Sequence, residues 1–237
     1  DRINILVEEA KKHNIKVLPP DINESFDNFT LIPPNSIRFG LVAIKNVGHN
    51  VVRVIVEERK KNGDFQSMAD FLTRMSPAPE EVAILNKKSL ESLIKAGAFD
   101  KLGSRKEFLE ELENLLSFAR ESQKTKQYGQ ESLFGAEESP NNHLIFSKNN
   151  SNNKKLASDE IQWEKELLGM YISDHPLSSH EHLLKDDVVL IKDLNQEKID
   201  KQVKIAGVIN KITKFITKSG KPMLFVELED LTGKIET

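Results

Sequence analysis

The sequence predicts a mainly α fold: a helical domain followed by a partial all-β barrel. Apolar residues recur at helical spacing through the first half of the chain, and from Val203 onward the period changes to two. A Ser-Gly turn at residues 219–220 separates two of the alternating runs, as in an antiparallel meander. Such a meander suits a small barrel, and the runs stop after about three strands and the start of a fourth.

Composition excludes several classes of protein. The 237 residues include 30% charged and 6% aromatic residues, which suits a soluble, helix-rich protein. The absence of cysteine excludes disulfides and cysteine-based zinc sites. No apolar run approaches the roughly 18 residues of a membrane span, and the start does not resemble a signal peptide. We therefore expect a cytoplasmic protein without a membrane partner.

Helical periodicity predicts the elements in chain order. The opening at Asp1 within a helical pattern, and the end at Thr237 within a strand pattern, predict a piece of a longer chain. A short strand is expected over 15–18, followed by a loop with extended pieces. Ser104 and Glu107 fit a capping box at the start of a long helix. Helices are predicted over 1–13, 64–75, 80–85, 88–95, 104–119, 158–170 and 178–184.

Residues 37–59 place apolar helical patterns on both sides of a short polar joint, residues 45–48. Gly48 can adopt positive φ without steric cost, and Asn46 is one of the few other residues that tolerate it. We therefore expect the joint to reverse the chain and to start a helix at once. The exposed N–H groups and dipole of such a helix start suit a phosphate. Positive charge is added nearby by Lys45, Arg53, Arg59, Lys60 and Lys61.

This stretch resembles a helix-hairpin-helix motif, which grips the DNA backbone without reading bases. The usual hairpin has a glycine on each side of one apolar residue, and here Asn46 stands at the first glycine position. A second helix–turn–helix pattern around Gly97 predicts a tandem arrangement. The alternative is that both are ordinary helical corners inside a core. The residues expected to contact DNA in the two hairpins are Lys45, Asn46, Val47, Gly48, Asn50, Arg53, Lys95 and Gly97.

A lysine-rich segment lies in the predicted barrel. The net charge of the chain is −3, so attraction to nucleic acid must be local, and residues 201–222 contain six lysines and no acidic residue. Phe215 and Phe225 are available for stacking on bases, which suits a single strand. The alternative is a solvated strand edge whose lysines prevent strand addition. The lysines expected to contact single-stranded nucleic acid are Lys211, Lys214, Lys218 and Lys221.

No catalytic or metal-binding constellation is found in the sequence. His175, His180 and His182 lie close together, but their spacing fits no common metal site and favours surface or capping roles. Glu227, Glu229 and Asp230 resemble a carboxylate site only in sequence, and a solvated barrel rim is favoured. We expect no catalytic residue, no metal ligand and no cofactor in this chain.

Five stretches resemble, in the correct order, the region that follows the palm in the alpha subunit of bacterial replicative DNA polymerase III. They are residues 17–26 (VLPPDINESF), 37–48 (IRFGLVAIKNVG), 90–103 (LESLIKAGAFDKLG), 166–177 (ELLGMYISDHPL) and 220–236 (GKPMLFVELEDLTGKIE). The resemblance implies the end of the fingers over 1–35, a tandem helix-hairpin-helix domain over 36–120 and a helical connector over 158–200. It implies the first half of an OB fold over 201–237. The partners implied are duplex DNA, the single-stranded template and other polymerase III holoenzyme subunits.

The polar stretch 121–157 is predicted to be a disordered linker, because it cannot bury enough apolar surface to offset its ordering entropy. Within this stretch, Gln130, Ser132, Leu133 and Phe134 resemble the internal motif by which the family binds the sliding clamp, the beta subunit. Local collapse onto the helix at 104–119 is the alternative. The family's catalytic aspartates lie upstream in the palm, so the resemblance implies a magnesium-dependent nucleotidyltransferase as the parent. The remaining alternative is a stand-alone helical scaffold that binds protein partners without DNA.

Overall fold

The computed structural model describes residues 2–76, 85–128, 158–178, 188–195, 198–218 and 220–237. The chain forms two compact units, Asp1–Ser173 and Asp174–Thr237. Across the described residues there are seven α-helices and six β-strands, and none of these helices is long and apolar enough to cross a membrane. The predicted helices at 80–85 and 178–184, and most of the linker at 121–157, lie outside the described residues.

The first unit opens with a helix and a small mixed sheet. Helix α1 spans Arg2–Lys12 and precedes strands β1 (Lys16–Leu18), β2 (Thr30–Ile32) and β3 (Ser36–Arg38). The strand order is β1-β3-β2, with β3 parallel to β1 and antiparallel to β2. Strand β3 therefore leads from the sheet toward the predicted joint.

Six further helices build the rest of this unit around one apolar core. The helices are α2 (His49–Asn62), α3 (Met68–Met75), α4 (Lys87–Lys95), α5 (Arg105–Glu110), α6 (Leu112–Tyr128) and α7 (Ser158–Leu168). Ser67 and Asn86 cap α3 and α4 by accepting hydrogen bonds from backbone N–H groups of the first turn. Phe65, Phe71, Phe99 and Phe108 follow one another through the core in edge-to-face contacts.

Three expectations for this unit were wrong in detail. The apolar cluster before the joint forms strand β3 and a short 3-10 helix, Leu41–Ala43, because the N–H groups of Phe39 and Leu41 donate to the carbonyl oxygens of Leu18 and Phe26 and not within an α-helix. Ser104 precedes α5 but its side chain accepts no capping hydrogen bond. The expected long helix breaks between α5 and α6, and α6 continues to Tyr128 into the stretch predicted as linker.

The second unit contains one antiparallel sheet in the order β4-β5-β6. Strands β4 (Val208–Ile216) and β5 (Pro222–Glu229) pair along their length, with a bulge between Ile209 and Lys211, and β6 spans Lys234–Glu236. The described residues form three strands and no closed barrel, since the runs around Ile212 and Phe215 belong to one long strand. The predicted fold class, mainly α with a partial β segment, is confirmed.

Asp230 organises the end of the β5–β6 turn. Its carboxylate accepts hydrogen bonds from the backbone N–H groups of Ile191, Thr232 and Gly233, at 2.7, 2.6 and 2.9 Å. Burial raises the pKa of this carboxyl group, but the hydrogen bonds from Ile191 and Thr232 together lower it by more than burial raises it. The pKa therefore lies below the ordinary value. Asp230 is therefore a structural cap.

Candidate nucleic-acid interface

The joint at residues 45–48 reverses the chain through Asn46. Asn46 has φ +67°, in the left-handed region, whereas Gly48 has φ −84° and ψ 156°. The expectation that both residues supply positive φ was therefore wrong for Gly48. Val47 points inward and is buried, so the polar residues around it face solvent. An asparagine thus performs the turn that a glycine usually performs at this position.

Two serines of α4 hold the joint in place. The Ser89 hydroxyl donates to the Asn46 carbonyl oxygen at 2.9 Å, and the Asn46 side-chain amide donates to Ser92 Oγ at 3.1 Å. The Lys45 N–H donates to the Leu167 carbonyl oxygen of α7 at 3.1 Å. These contacts come from two helices, α4 and α7, so the joint is fixed before any ligand arrives. The serines were missed from the sequence, although they interrupt an apolar stripe at a spacing of three residues.

The start of α2 is open to solvent. Gly48 is the N-cap residue, has no side chain to accept a hydrogen bond, and is exposed together with His49 and Asn50. A Cβ placed on Gly48 would meet no atom within 4 Å. Neither backbone conformation nor internal packing therefore requires a glycine at this position. The unshielded N–H groups lie at the positive end of a helix of 14 residues, an arrangement that suits an anion.

The positive charges near the joint fall into two groups. Lys45 and Arg53 are exposed, and the described part of the structure gives neither an acidic partner. Arg59 is buried, and its guanidinium donates to the carbonyl oxygens of Ile22 and Ser25 at 2.8 and 3.0 Å. The expectation that Arg59 adds surface charge was wrong. Lys60 and Lys61 are exposed at the other end of α2, roughly 16 Å from its start.

The joint of the second hairpin, residues 96–104, is built differently. Gly97 is buried and has φ +84°, and a Cβ there would lie 2.3 Å from Nη2 of Arg105. Its N–H already donates to the Ile94 carbonyl oxygen at 3.0 Å. Lys95 lies beside it and pairs with Glu91 at 2.6 Å, with its ammonium 5.7 Å from the ring centre of Trp163.

The comparisons with known proteins agree with this hairpin geometry. The family model for the helix-hairpin-helix motif matches residues 14–108. The alpha subunit of DNA polymerase III from Borreliella burgdorferi is 38% identical over 241 residues, which cover the whole chain and 20% of that protein. The counterparts from Aquifex aeolicus and Thermus aquaticus are 38% and 37% identical over 98% and 100% of the chain.

The chain is homologous to part of the DNA polymerase III alpha subunit. It spans about a fifth of the length of the curated relatives it matches. The resemblance predicted from the five sequence stretches is thus confirmed, as is the presence of a helix-hairpin-helix motif, while the domain bounds of 36–120 stay a prediction. The predicted contact residues stay predictions, and the exposed ones of the two hairpins lie around the start of α2.

In the second unit, strand register sorts the predicted residues onto two faces of the sheet. Thr213 is directly opposite Phe225, and Phe215 is opposite Met223, so these side chains share a face with Lys211. We call this surface the phenylalanine face. Lys214 lies on the other face, opposite Leu224. Lys218 and Lys221 are exposed beside the turn, where Gly220 has φ +79°.

Other candidates in the segment do not assemble into a site. Among the described residues there is no group of three or more histidine, cysteine or carboxylate side chains that suits a metal ion. Asp230 is engaged as a cap, and Glu229 accepts a hydrogen bond from the side chain of Asn210. His180, His182 and the clamp motif of Gln130, Ser132, Leu133 and Phe134 lie outside the described residues.

Proposed function

We propose that this segment binds the backbone of duplex DNA through the joint at residues 45–48 and the start of α2. The observation that carries the proposal is Gly48, an exposed glycine that neither its own φ nor its neighbours require. A glycine at a helix start lets a phosphate approach the backbone N–H groups without meeting a side chain. Lys45 and Arg53 add attraction that does not depend on base sequence.

Salt dependence of duplex binding tests this proposal. The double variant Lys45→Gln/Arg53→Gln removes two exposed cations and leaves the buried Arg59 in place. We expect the slope of log K against log salt to shrink by up to about 0.9 for each phosphate that is no longer neutralised. Lys61→Gln removes an equally exposed cation from the far end of α2 and is the matched control. An identical slope in the double variant and in wild type contradicts the proposal and favours a scaffold that binds proteins only.

We extend the proposal to single-stranded DNA at the phenylalanine face. Phe215 and Phe225 are 52% and 37% exposed, which is unusual for rings in a sheet and leaves their faces open for stacking. Lys211, on the same face, lies opposite Glu227, while Lys218 and Lys221 extend the positive charge at the turn.

Lys211 and Lys214 provide a matched pair for this test, because they lie on one strand and point to opposite faces. We expect Lys211→Gln to lower the salt slope of single-strand binding by up to about 0.7. If Lys214→Gln lowers it equally, the single-stranded DNA contacts both lysines, as the sequence predicted, and is not confined to the phenylalanine face. If neither does, single-strand binding at the phenylalanine face is refuted.

The clamp interaction is proposed from sequence alone. Leu133 and Phe134 form an apolar pair in a polar stretch and suit an apolar pocket, with Gln130 supplying a polar anchor. Calorimetric titration of the bacterial sliding clamp should give micromolar affinity, about −8 kcal/mol, for wild type. It should give no detectable binding for Leu133→Ala/Phe134→Ala, at an unchanged melting temperature. An earlier melting point, or retained binding, contradicts this assignment.

The longer protein is proposed to be a DNA-directed DNA polymerase of the cytoplasm that uses magnesium and assembles with other polymerase III holoenzyme subunits. Its support is the match to DNA polymerase III alpha subunits over the whole of this chain. Primer extension by the full-length protein, with and without magnesium, tests this. The 237-residue segment alone should show no extension, since its expected role is to hold DNA.

A further inference from the structure

Helix α7 contacts both hairpins, although it follows both of them in sequence. At its C-terminal end the Leu167 carbonyl oxygen accepts the N–H of Lys45 in the first joint. One turn earlier, Glu164 Oε1 lies 2.9 Å from Arg105 Nη2, and Arg105 begins the helix after the second joint. The matched helix-hairpin-helix region ends at residue 108 and does not include α7.

The contact with the second hairpin is a buried charge network. The side chains of Arg105 and Glu164 are 2% and 0% exposed. Arg105 also donates two hydrogen bonds to Asp100, at 2.6 and 2.8 Å, and one to the Lys95 carbonyl oxygen at 3.1 Å. Burial lowers the pKa of Arg105, but Asp100 and Glu164 raise it above the ordinary value, so the guanidinium stays charged.

The other oxygen atoms of the network are also occupied. Glu164 Oε2 accepts the N–H groups of Ile172 and Ser173 at 3.3 and 3.0 Å, and Oε1 accepts the Ser173 hydroxyl at 2.7 Å. A buried carboxylate with this many donors holds one orientation only, because any other leaves a charge or a donor unpaired. Since α7 meets the first joint one turn later, the network fixes both joints against one helix.

We propose that Glu164 is a positioning residue that sets the spacing of the two hairpins through α7 and thereby the affinity of this unit for duplex DNA. The proposal rests on the proposed duplex binding. It extends the DNA-binding unit to Ser173, beyond the matched helix-hairpin-helix region. Glu164 itself contacts no DNA, because its carboxylate is wholly buried.

The test uses the full 237-residue chain, which has no cysteine, so spin labels can be attached at introduced cysteines alone. Glu57→Cys on α2 and Lys106→Cys on α5 are exposed positions, and their distance reports the spacing of the hairpins. Glu164→Gln replaces one carboxylate oxygen by a donor that faces N–H or N⁺–H groups. Glu166→Gln, the same change at an exposed position of α7, is the matched control.

We expect Glu164→Gln to broaden the distance distribution measured by double electron–electron resonance, and to weaken duplex binding roughly fivefold, in protein whose circular dichroism is unchanged. Glu166→Gln should match wild type in both measurements. Ser173→Ala removes one hydrogen bond to Glu164 and should produce a smaller change of the same kind. If Glu164→Gln does not fold, Ser173→Ala tests whether Glu164 sets the spacing of the hairpins.

An unchanged distance distribution in Glu164→Gln overturns the proposal. If Glu164→Gln does not fold, the same result in Ser173→Ala overturns it. A broadened distribution with wild-type duplex affinity also overturns the proposal. If wild type itself binds no duplex, the proposed function fails. The distance distribution then decides by itself whether Glu164 sets the hairpin spacing.

Discussion

The two hairpin joints of the helical unit contain glycines that perform opposite tasks. Gly48 has an ordinary φ, is exposed, and has open space where a Cβ would lie. Gly97 has a positive φ, is buried, and leaves room for the Arg105 guanidinium. The fold thus requires the second glycine, whereas the first is required by neither its φ nor its neighbours, and we assign it to the proposed phosphate contact. The role of a glycine in a tandem motif therefore depends on the residues around it.

The largest expected effect is on stability at the second joint. Gly97→Ala forces a residue with a Cβ into the left-handed region and presses it against Arg105 and Asp100. We expect the free energy of unfolding to fall by about 3 kcal/mol or more, combining backbone strain with disruption of a buried charge network. Urea unfolding of the helical unit measures it. A loss below about 1 kcal/mol would show that the network relaxes easily around the new methyl group.

Gly48→Ala, in the same assay, provides the other half of this comparison. Its methyl group meets open space at an ordinary φ, so we expect a loss of about 1 kcal/mol or less, from the weaker capping preference of alanine. Equal losses at Gly48 and Gly97 would remove the distinction between the two joints.

The two arginines of α2 test the same contrast with charge. Arg59→Gln leaves the carbonyl oxygens of Ile22 and Ser25 short of a donor in the interior, and should cost about 2–3 kcal/mol of unfolding free energy. Arg53→Gln lies on the exposed face and should change stability by less than about 0.5 kcal/mol. Thermal denaturation of the two variants side by side gives the comparison, and similar melting temperatures would contradict it.

A smaller effect is expected at Asn46. Asn46→Gly relieves the cost of a left-handed φ, but it loses the hydrogen bond to Ser92 and adds flexibility to the unfolded chain. The net loss of unfolding free energy should be about 0.5–1 kcal/mol, with duplex affinity within about twofold of wild type. A large loss of affinity would mean that the asparagine side chain, and not the turn it forms, contacts DNA.

Most helices were predictable because the core of the first unit selects a 3.6-residue stripe, which sequence displays directly. The segment before the first joint was not predictable as strand and 3-10 helix, because Phe39, Leu41 and Ile44 are dense enough to imitate a helical stripe. The difference between Arg53 and Arg59 was also hidden. It depends on carbonyl groups more than thirty residues away in sequence, at Ile22 and Ser25.

At the site itself, the sequence identified the joint and its exposed residues but expected positive φ at both Asn46 and Gly48, whereas only Asn46 has it. Local preference allows both Asn46 and Gly48 to take positive φ, and only the contacts with Ser89 and Ser92 decide between them. The ion pair of Arg105 and Glu164 was missed, because no sequence pattern links two residues that lie 59 positions apart.

The central claim is that the open space above Gly48 receives a DNA phosphate, and Gly48→Val tests it most directly. A Cβ at this position meets no atom within 4 Å, and the branched side chain of valine occupies the space that a phosphate would need. In a fluorescence anisotropy titration with short duplexes of unrelated sequence, we expect affinity to fall about tenfold or more, equally for each duplex, in protein that remains folded. Wild-type affinity in folded Gly48→Val protein would contradict the claim.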